Sequence, residues 1–219
     1  MKKQKIYSKK EALSIFVSAA KLYHENLENK DLLIISKCGK NIETYEVGFL
    51  NTNFQHFTGT ITTLSAVAFY EAALYNRLSI NDFEFKNNEL TSRKIDILEN
   101  AVTFPKIAKM IGVYNGPKVQ LQADIGAGNV RCVMTLRFDK NKGNDWLYPV
   151  GIQKEDIRDV TTKSPIIAIL RKNSTDTVYE EITYKSKNII LNNIHIPKEY
   201  NKIIADDVLQ QLKPKQIED

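Results

Sequence analysis

Val119-Gln120-Leu121-Gln122-Ala123-Asp124-Ile125-Gly126-Ala127-Gly128-Asn129-Val130-Arg131-Cys132-Val133-Met134-Thr135-Leu136-Arg137-Phe138 is the stretch on which the fold turns. Val119, Leu121, Ala123 and Ile125 alternate with Gln120, Gln122 and Asp124. Beyond the glycines, Val130, Cys132, Met134, Leu136 and Phe138 alternate with Arg131, Thr135 and Arg137. A period of two sends successive side chains to opposite faces, so the stretch reads as an antiparallel hairpin with one buried face. Its predicted turn is Gly126-Ala127-Gly128-Asn129. Pairing across that turn sets Asp124 opposite Arg131 and Lys118 opposite Arg137, all on the polar face. Cys132 falls on the apolar face and reads as a small hydrophobe.

The chain before this hairpin is mostly helical in pattern. Ser8 and Glu11 have the spacing of a capping box. They open a helix whose apolar positions include Ala12, Phe16, Ala19, Tyr23 and Leu27. Leu32–Lys37 and Ile42–Val47 read as a strand pair around Cys38-Gly39-Lys40-Asn41. A polar loop is predicted over Asn51–Thr60. It leads into a helix through Leu64, Val67, Ala68, Ala72 and Tyr75, capped by Thr62 or Thr63 and apolar on nearly every face. One more helix is expected from near Thr91 through Ile95, Leu98 and Val102, and Pro105 fits the first turn of another. After the hairpin, strands are predicted over Trp146–Ile152, Pro165–Arg171 and Val178–Lys185, with a final helix over Ile203–Leu212.

Helices first and a mostly antiparallel sheet second make an α+β fold, with N-terminal and central helices packed on the sheet. No Pro/Gly/Ser-rich boundary divides the chain, so one domain over residues 11–200 is expected. A basic tail (1–10) precedes it and a C-terminal helix or tail (201–219) follows.

The chain has 219 residues, 42% of them hydrophobic and 26% charged, which is an ordinary globular composition. No apolar run approaches the ~20 residues that span a bilayer. The basic N-terminus is not followed by the apolar core of a signal peptide. Two cysteines and three histidines fit neither a disulfide framework nor a thiolate or zincin metal site, which leaves carboxylates as the open route to a metal; a cytoplasmic location and no cofactor are expected. The net charge is +5. Residues 1–30 hold seven Lys against three acidic residues, so the excess sits at the N-terminus and says little about a polyanionic partner.

Most catalytic signatures are absent from the sequence. Gly126-Ala127-Gly128 lacks the third glycine and the following helix of a dinucleotide site. The segment Phe54-Gln55-His56-Phe57-Thr58-Gly59 is different, with a histidine between two aromatics just ahead of a buried helix. It reads either as a half-buried aromatic loop with a hydrogen-bonded histidine or as a proton-transfer site. Arg131 and Arg137 are likewise either a solvated face or a bidentate phosphate clamp.

The order of features resembles the phage-associated Barnase–EndoU–colicin–RelE-like nuclease domains, fourth sub-family. The resemblance rests on the Phe54–Gly59 loop, the Phe69-Tyr70 pair, Asp82-Phe83 and Thr91-Ser92-Arg93-Lys94. It continues through Tyr148-Pro149, Lys154-Glu155-Asp156-Ile157 and the paired strands Ile166–Lys172 and Tyr179–Lys187, and covers residues 10–190. It implies metal-independent RNA cleavage, with attack by the ribose 2′-hydroxyl. On that reading His56 is the acid or base, Thr58 bonds the phosphate, and Arg131 or Arg137 supplies the cation. Phe54, Phe57 and Tyr148 are candidate stacking surfaces for unpaired bases, and Lys94 is a further substrate-binding candidate. RNA is the implied partner. The competing expectation is a non-catalytic phage or mobile-element module that binds a protein partner or inhibitor through Phe54 and Phe57.

Overall fold

A computed structural model describes residues 4–116, 123–142, 146–162, 164–187, 196–197 and 199–212. It has the α+β layout expected from the sequence. Helix α1 (Lys9–Asn26) begins with the predicted capping box: the Ser8 side chain accepts from Glu11 N–H, and the Glu11 carboxylate accepts from Ser8 N–H. Its buried face, Ala12, Phe16, Ala19, Ala20 and Tyr23, lies against later helices. Strands β1 (Lys30–Cys38) and β2 (Asn41–Phe49) form the predicted hairpin, in register from Lys30 opposite Phe49 to Cys38 opposite Asn41.

The polar loop after β2 is not a loop throughout. Asn53–Thr58 forms a short helix, α2, which ends on Gly59 in the left-handed conformation. Strand β3 (Thr60–Ile61) leads to α3 (Ala66–Leu74), whose cap is Ser65 rather than Thr62 or Thr63. Phe69, Tyr70 and Ala73 of α3 are buried, but Tyr75 at its end is exposed. Strand β4 (Glu84–Phe85) pairs with β3. The helix expected from Thr91 to Val102 is two helices, α4 (Asn88–Ile95) and α5 (Leu98–Val102). Asn87 caps the first, and the chain breaks at Asp96-Ile97. Pro105 sits in the first turn of α6 (Phe104–Ile107), as predicted.

The remaining strands are β5 (Met110–Val113), β6 (Ile125–Gly128), β7 (Val133–Phe138), β8 (Trp146–Gln153), β9 (Ser164–Asn173) and β10 (Glu181–Lys185). Helix α7 (Ile157–Val160) follows β8, and α8 (Asp206–Leu212) closes the described chain. The strand order is β1-β2-β8-β7-β6-β5-β9-β10, with β1 also paired to β9, so the order closes on itself. All pairs are antiparallel except β2 with β8.

The β6–β7 hairpin differs from the expected register. Ile125 faces Leu136 and Gly128 faces Val133, so the connection is Asn129–Cys132. Asp124 therefore lies beside Arg137 and not opposite Arg131, and its carboxylate accepts from the Phe138 N–H. The physical cause lies in the turn itself. The Asn129 side chain accepts from the N–H groups of Arg131 and Cys132, which closes an Asx-type turn. Gly128 serves close packing, because a Cβ there would lie 2.0 Å from the Cys132 carbonyl oxygen. Lys118 and the Val119–Gln122 part of the expected strand fall outside the described residues.

Two cores flank the sheet. Leu32, Ile34, Val47, Met134 and Leu147 pack on the helix side with Phe16, Phe54, Phe57 and Phe69. Leu33, Ile35, Ile167, Leu170 and Tyr179 pack on the other side with Val208 and Leu212 of α8. β1 is thus buried on both faces, which explains its unbroken apolar run.

Candidate functional site

Helix α2 places the predicted site residues by its own short geometry. Phe54 and Phe57, three apart, share one face and are fully buried among Tyr23, Phe69 and Tyr70. Buried rings offer no surface to a base or to a protein partner, so neither the stacking role nor the interface-anchor role expected of them holds. They are core residues that fasten α2 to α1 and α3.

Thr58 is fully buried too. Its hydroxyl donates to the Gln55 carbonyl at 2.8 Å and shares a 2.7 Å hydrogen bond with Thr60. This residue finishes the helix and does not reach a phosphate. Gly59 then turns left-handed (φ +72°), and its carbonyl accepts from the Thr91 hydroxyl of α4. The Thr-Gly half of the His-x-Thr-Gly motif therefore ends α2 against α4.

His56 projects from α2 and is exposed. The Lys94 ammonium, reaching over from α4, donates to the His56 main-chain carbonyl at 2.6 Å. Desolvation by the surrounding protein, and secondly the Lys94 charge, hold the His56 pKa below its ordinary value. The ring is thus neutral near pH 7 and able to accept a proton. The cation acting on His56 is Lys94 and neither of the expected arginines.

Arg131 and Arg137 lie in different surroundings. Arg131 lines a cleft of about 550 Å³ with Asp96, Asn100 and Lys154. Asp96 there accepts from Gln4, Tyr7 and Lys154. Burial works to raise its pKa, but those three donors prevail and hold it below the usual carboxylate value. Arg137 faces Tyr148 in the β7–β8 register, so both side chains leave the same face of the sheet. Tyr148 lines a second cleft, of about 400 Å³, with Trp146, Asp31 and Asn53.

The three groups connect through α2 and α4. Asn53 opens the second cleft, His56 follows one turn along α2, Lys94 meets it from α4, and Asp96 at the end of α4 opens the first cleft. The sequence pointed to His56, Lys94, Arg131 and Tyr148 but not to Tyr7, Asp96, Lys154 or Asp31. Tyr7, Asp96 and Lys154 meet at the first cleft, and Asp31 reaches the second beside Lys172, only across large sequence separations that no local pattern reports. His195 lies outside the described residues.

Among the described residues, no group of three or more His, Cys, Asp or Glu side chains is placed to hold a metal ion. No described helix is long and apolar enough to cross a membrane. Cys132 is buried, and its thiol is pushed up to about 12 by that burial, so it is inert as a nucleophile.

Helices packed on a mostly antiparallel sheet make this an α+β domain. A family model described as phage-Barnase-EndoU-ColicinE5/D-RelE like nuclease4 matches residues 15–188, and the chain belongs to that family of nuclease-like domains. No curated protein and no solved structure matches the chain. The match includes α2, α4 and both clefts and stops short of α8.

Proposed function

We propose that the protein is an endoribonuclease that cleaves RNA without a metal, with His56 as general base. The observation that carries this reading is the exposed His56 imidazole, held neutral beside the Lys94 ammonium. In the reaction the 2′-hydroxyl gives its proton to His56 and its oxygen bonds to the adjacent phosphorus. The bond from phosphorus to the 5′-oxygen breaks, and a general acid protonates the leaving oxygen. Lys94 offsets the charge that builds on the phosphate as the new bond forms. Arg131 with Lys154, and Arg137 beside Tyr148, hold the flanking backbone phosphates on either side.

The test is a cleavage assay in EDTA with the purified full chain and its His56→Ala variant. Wild type should leave a 2′,3′-cyclic phosphate end, and the variant should keep its melting temperature and lose cleavage. Intact RNA across a broad substrate panel would overturn the proposal, and cleavage that stops in EDTA would overturn its metal independence.

A further inference from the structure

The cleft between the end of β2, the start of β8 and the first turn of α2 has walls of three chemical kinds. Trp146 and Tyr148, two apart on β8, present aromatic rings to one face. Trp146 is fixed in place. Its ring lies so close to Gly48 that a Cβ there would sit 2.8 Å from Cζ2, and the Lys142 ammonium stands 4.4 Å from the ring centroid. Tyr148 is half-buried, and among the described residues no ring or cation stacks on it. It lines the cleft as a partly exposed aromatic side chain.

The other two kinds of wall are an acceptor and a donor. Asp31 is only 4% exposed, and its carboxylate lies 3.2 Å from the Lys172 ammonium. One ion pair leaves further lone pairs on a carboxylate. Asn53 commits its amide oxygen to the Leu50 N–H at 2.8 Å, which leaves its NH2 as the donor.

We propose that this cleft binds one unpaired nucleobase of the RNA, stacked on Tyr148 and read by Asp31 and Asn53, with guanine preferred. This rests on the ribonuclease reading and names its base specificity. An aromatic platform beside fixed polar groups is how proteins read splayed single-stranded bases on their Watson–Crick edges. Guanine presents two adjacent donors, N1–H and N2–H2, which suit a carboxylate, and an O6 acceptor, which suits an amide NH2. Adenine, cytosine and uracil each lack the paired donors. Asn53 and His56 are three apart on α2, so their side chains are neighbours on its surface and a base held here brings its nucleotide to the proposed general base.

Trp146 is the only tryptophan, so a 15N-labelled full chain has one indole N–H resonance, and that resonance sits in the cleft. The experiment titrates this signal with 3′-GMP, 3′-AMP, 3′-CMP, 3′-UMP and, as a probe without a base, ribose 5-phosphate. Saturable shifts are expected with 3′-GMP at affinity about tenfold above the other nucleotides, and no saturation with ribose 5-phosphate. Tyr148→Ala should weaken 3′-GMP binding about tenfold, the loss expected for one stacked base. Tyr148→Leu, which keeps apolar bulk on the strand, should lose binding equally if Tyr148→Ala fails to fold. The proposal is overturned by no saturable shift, by equal response to ribose 5-phosphate, or by undiminished binding in a folded Tyr148 variant. A chain that cleaves RNA but gives no saturable shift refutes the base site alone. A guanine-selective shift in a chain that leaves RNA intact supports the base site and refutes the cleavage reading.

Discussion

The Lys94 ammonium donates to the main-chain carbonyl of His56 at 2.6 Å, so the last turn of α4 and the last turn of α2 are tied at the proposed general base. The contact places a positive charge beside the imidazole without using either ring nitrogen. Lys94 therefore works in two ways: it discourages protonation of His56, and it stands ready for the negative charge of an RNA phosphate.

Removing that charge separates the two effects. Desolvation by neighbouring protein atoms is the larger cause of the lowered His56 pKa and Lys94 the smaller, so Lys94→Met should raise the pKa part of the way back toward its ordinary ~6.5. The base is active when neutral, so the acid limb of the cleavage profile should move to higher pH in the variant. The plateau rate should fall about a hundredfold, the scale for losing one electrostatic contact to the transition state. Histidine ring-proton titration by NMR and a pH–rate profile read the two quantities. An unmoved pKa would show that Lys94 has no electrostatic influence on the ring.

Gly59 holds the same junction from its other side. Its φ of +72° is costly for any residue with a side chain, and a Cβ there would lie 3.0 Å from Lys94 Cδ and 3.3 Å from Thr91 Cα. Lys94 Cδ can yield, but the Thr91 backbone cannot without moving α4. Gly59→Ala should cost about 1–2 kcal/mol in thermal or urea unfolding and reduce cleavage further than the stability loss explains. Wild-type stability in this variant would remove the strain argument.

Phe57 gives the contrast between a core residue and a stacking residue. Phe57→Ala should destabilise by about 3–5 kcal/mol, because a fully buried ring is deleted beside Tyr23. Phe57→Leu should cost no more than about 2 kcal/mol and leave RNA binding unchanged. Weakened RNA binding with unchanged stability would return Phe57 to the interface.

Local signals carried the fold well where the physics was local. The Ser8–Glu11 capping box, the β1–β2 hairpin and Pro105 each state their geometry within a few residues, and all formed as read. Reading failed where a tertiary contact settles the structure. Asn53–Thr58 is too short and polar to show helical periodicity, and it is helical because Phe54 and Phe57 have a core to enter. A glycine pair that serves packing suggested the wrong turn between β6 and β7, whereas one asparagine side chain, Asn129, sets it. The site was legible in part for the same reason. His56 and Tyr148 announce themselves by type and neighbourhood, whereas Asp31 reaches its cleft only through the β1–β2–β8 arrangement.

Asp96 supplies a prediction in the acid range. Tyr7 donates to it at 2.6 Å, Gln4 at 2.8 Å and Lys154 at 2.5 Å, so the segment before α1, the end of α4 and the chain after β8 meet on one carboxylate. The Tyr7 phenol, hydrogen-bonded to that carboxylate, is pushed up to about 12. Asp96 itself is held below its ordinary value, because the donors outweigh the opposing effect of burial. A carboxylate with a lowered folded pKa contributes stability that is fully present above its unfolded pKa of about 3.9 and lost as pH falls through the folded value. Asp96→Asn should therefore cost about 1–2 kcal/mol at neutral pH, a modest figure because Lys154 keeps access to solvent. The gap between variant and wild type should begin to close as pH falls below about 3.9 and vanish only below the lower folded value, where protonation removes the same charge from the wild type. Urea unfolding over a pH series measures both, and a stability gap that stays constant through the acid range would show that the ionised carboxylate does not join these segments. Tyr7→Phe removes one of the three donors and should fall between the two, with a loss of about 1 kcal/mol at neutral pH.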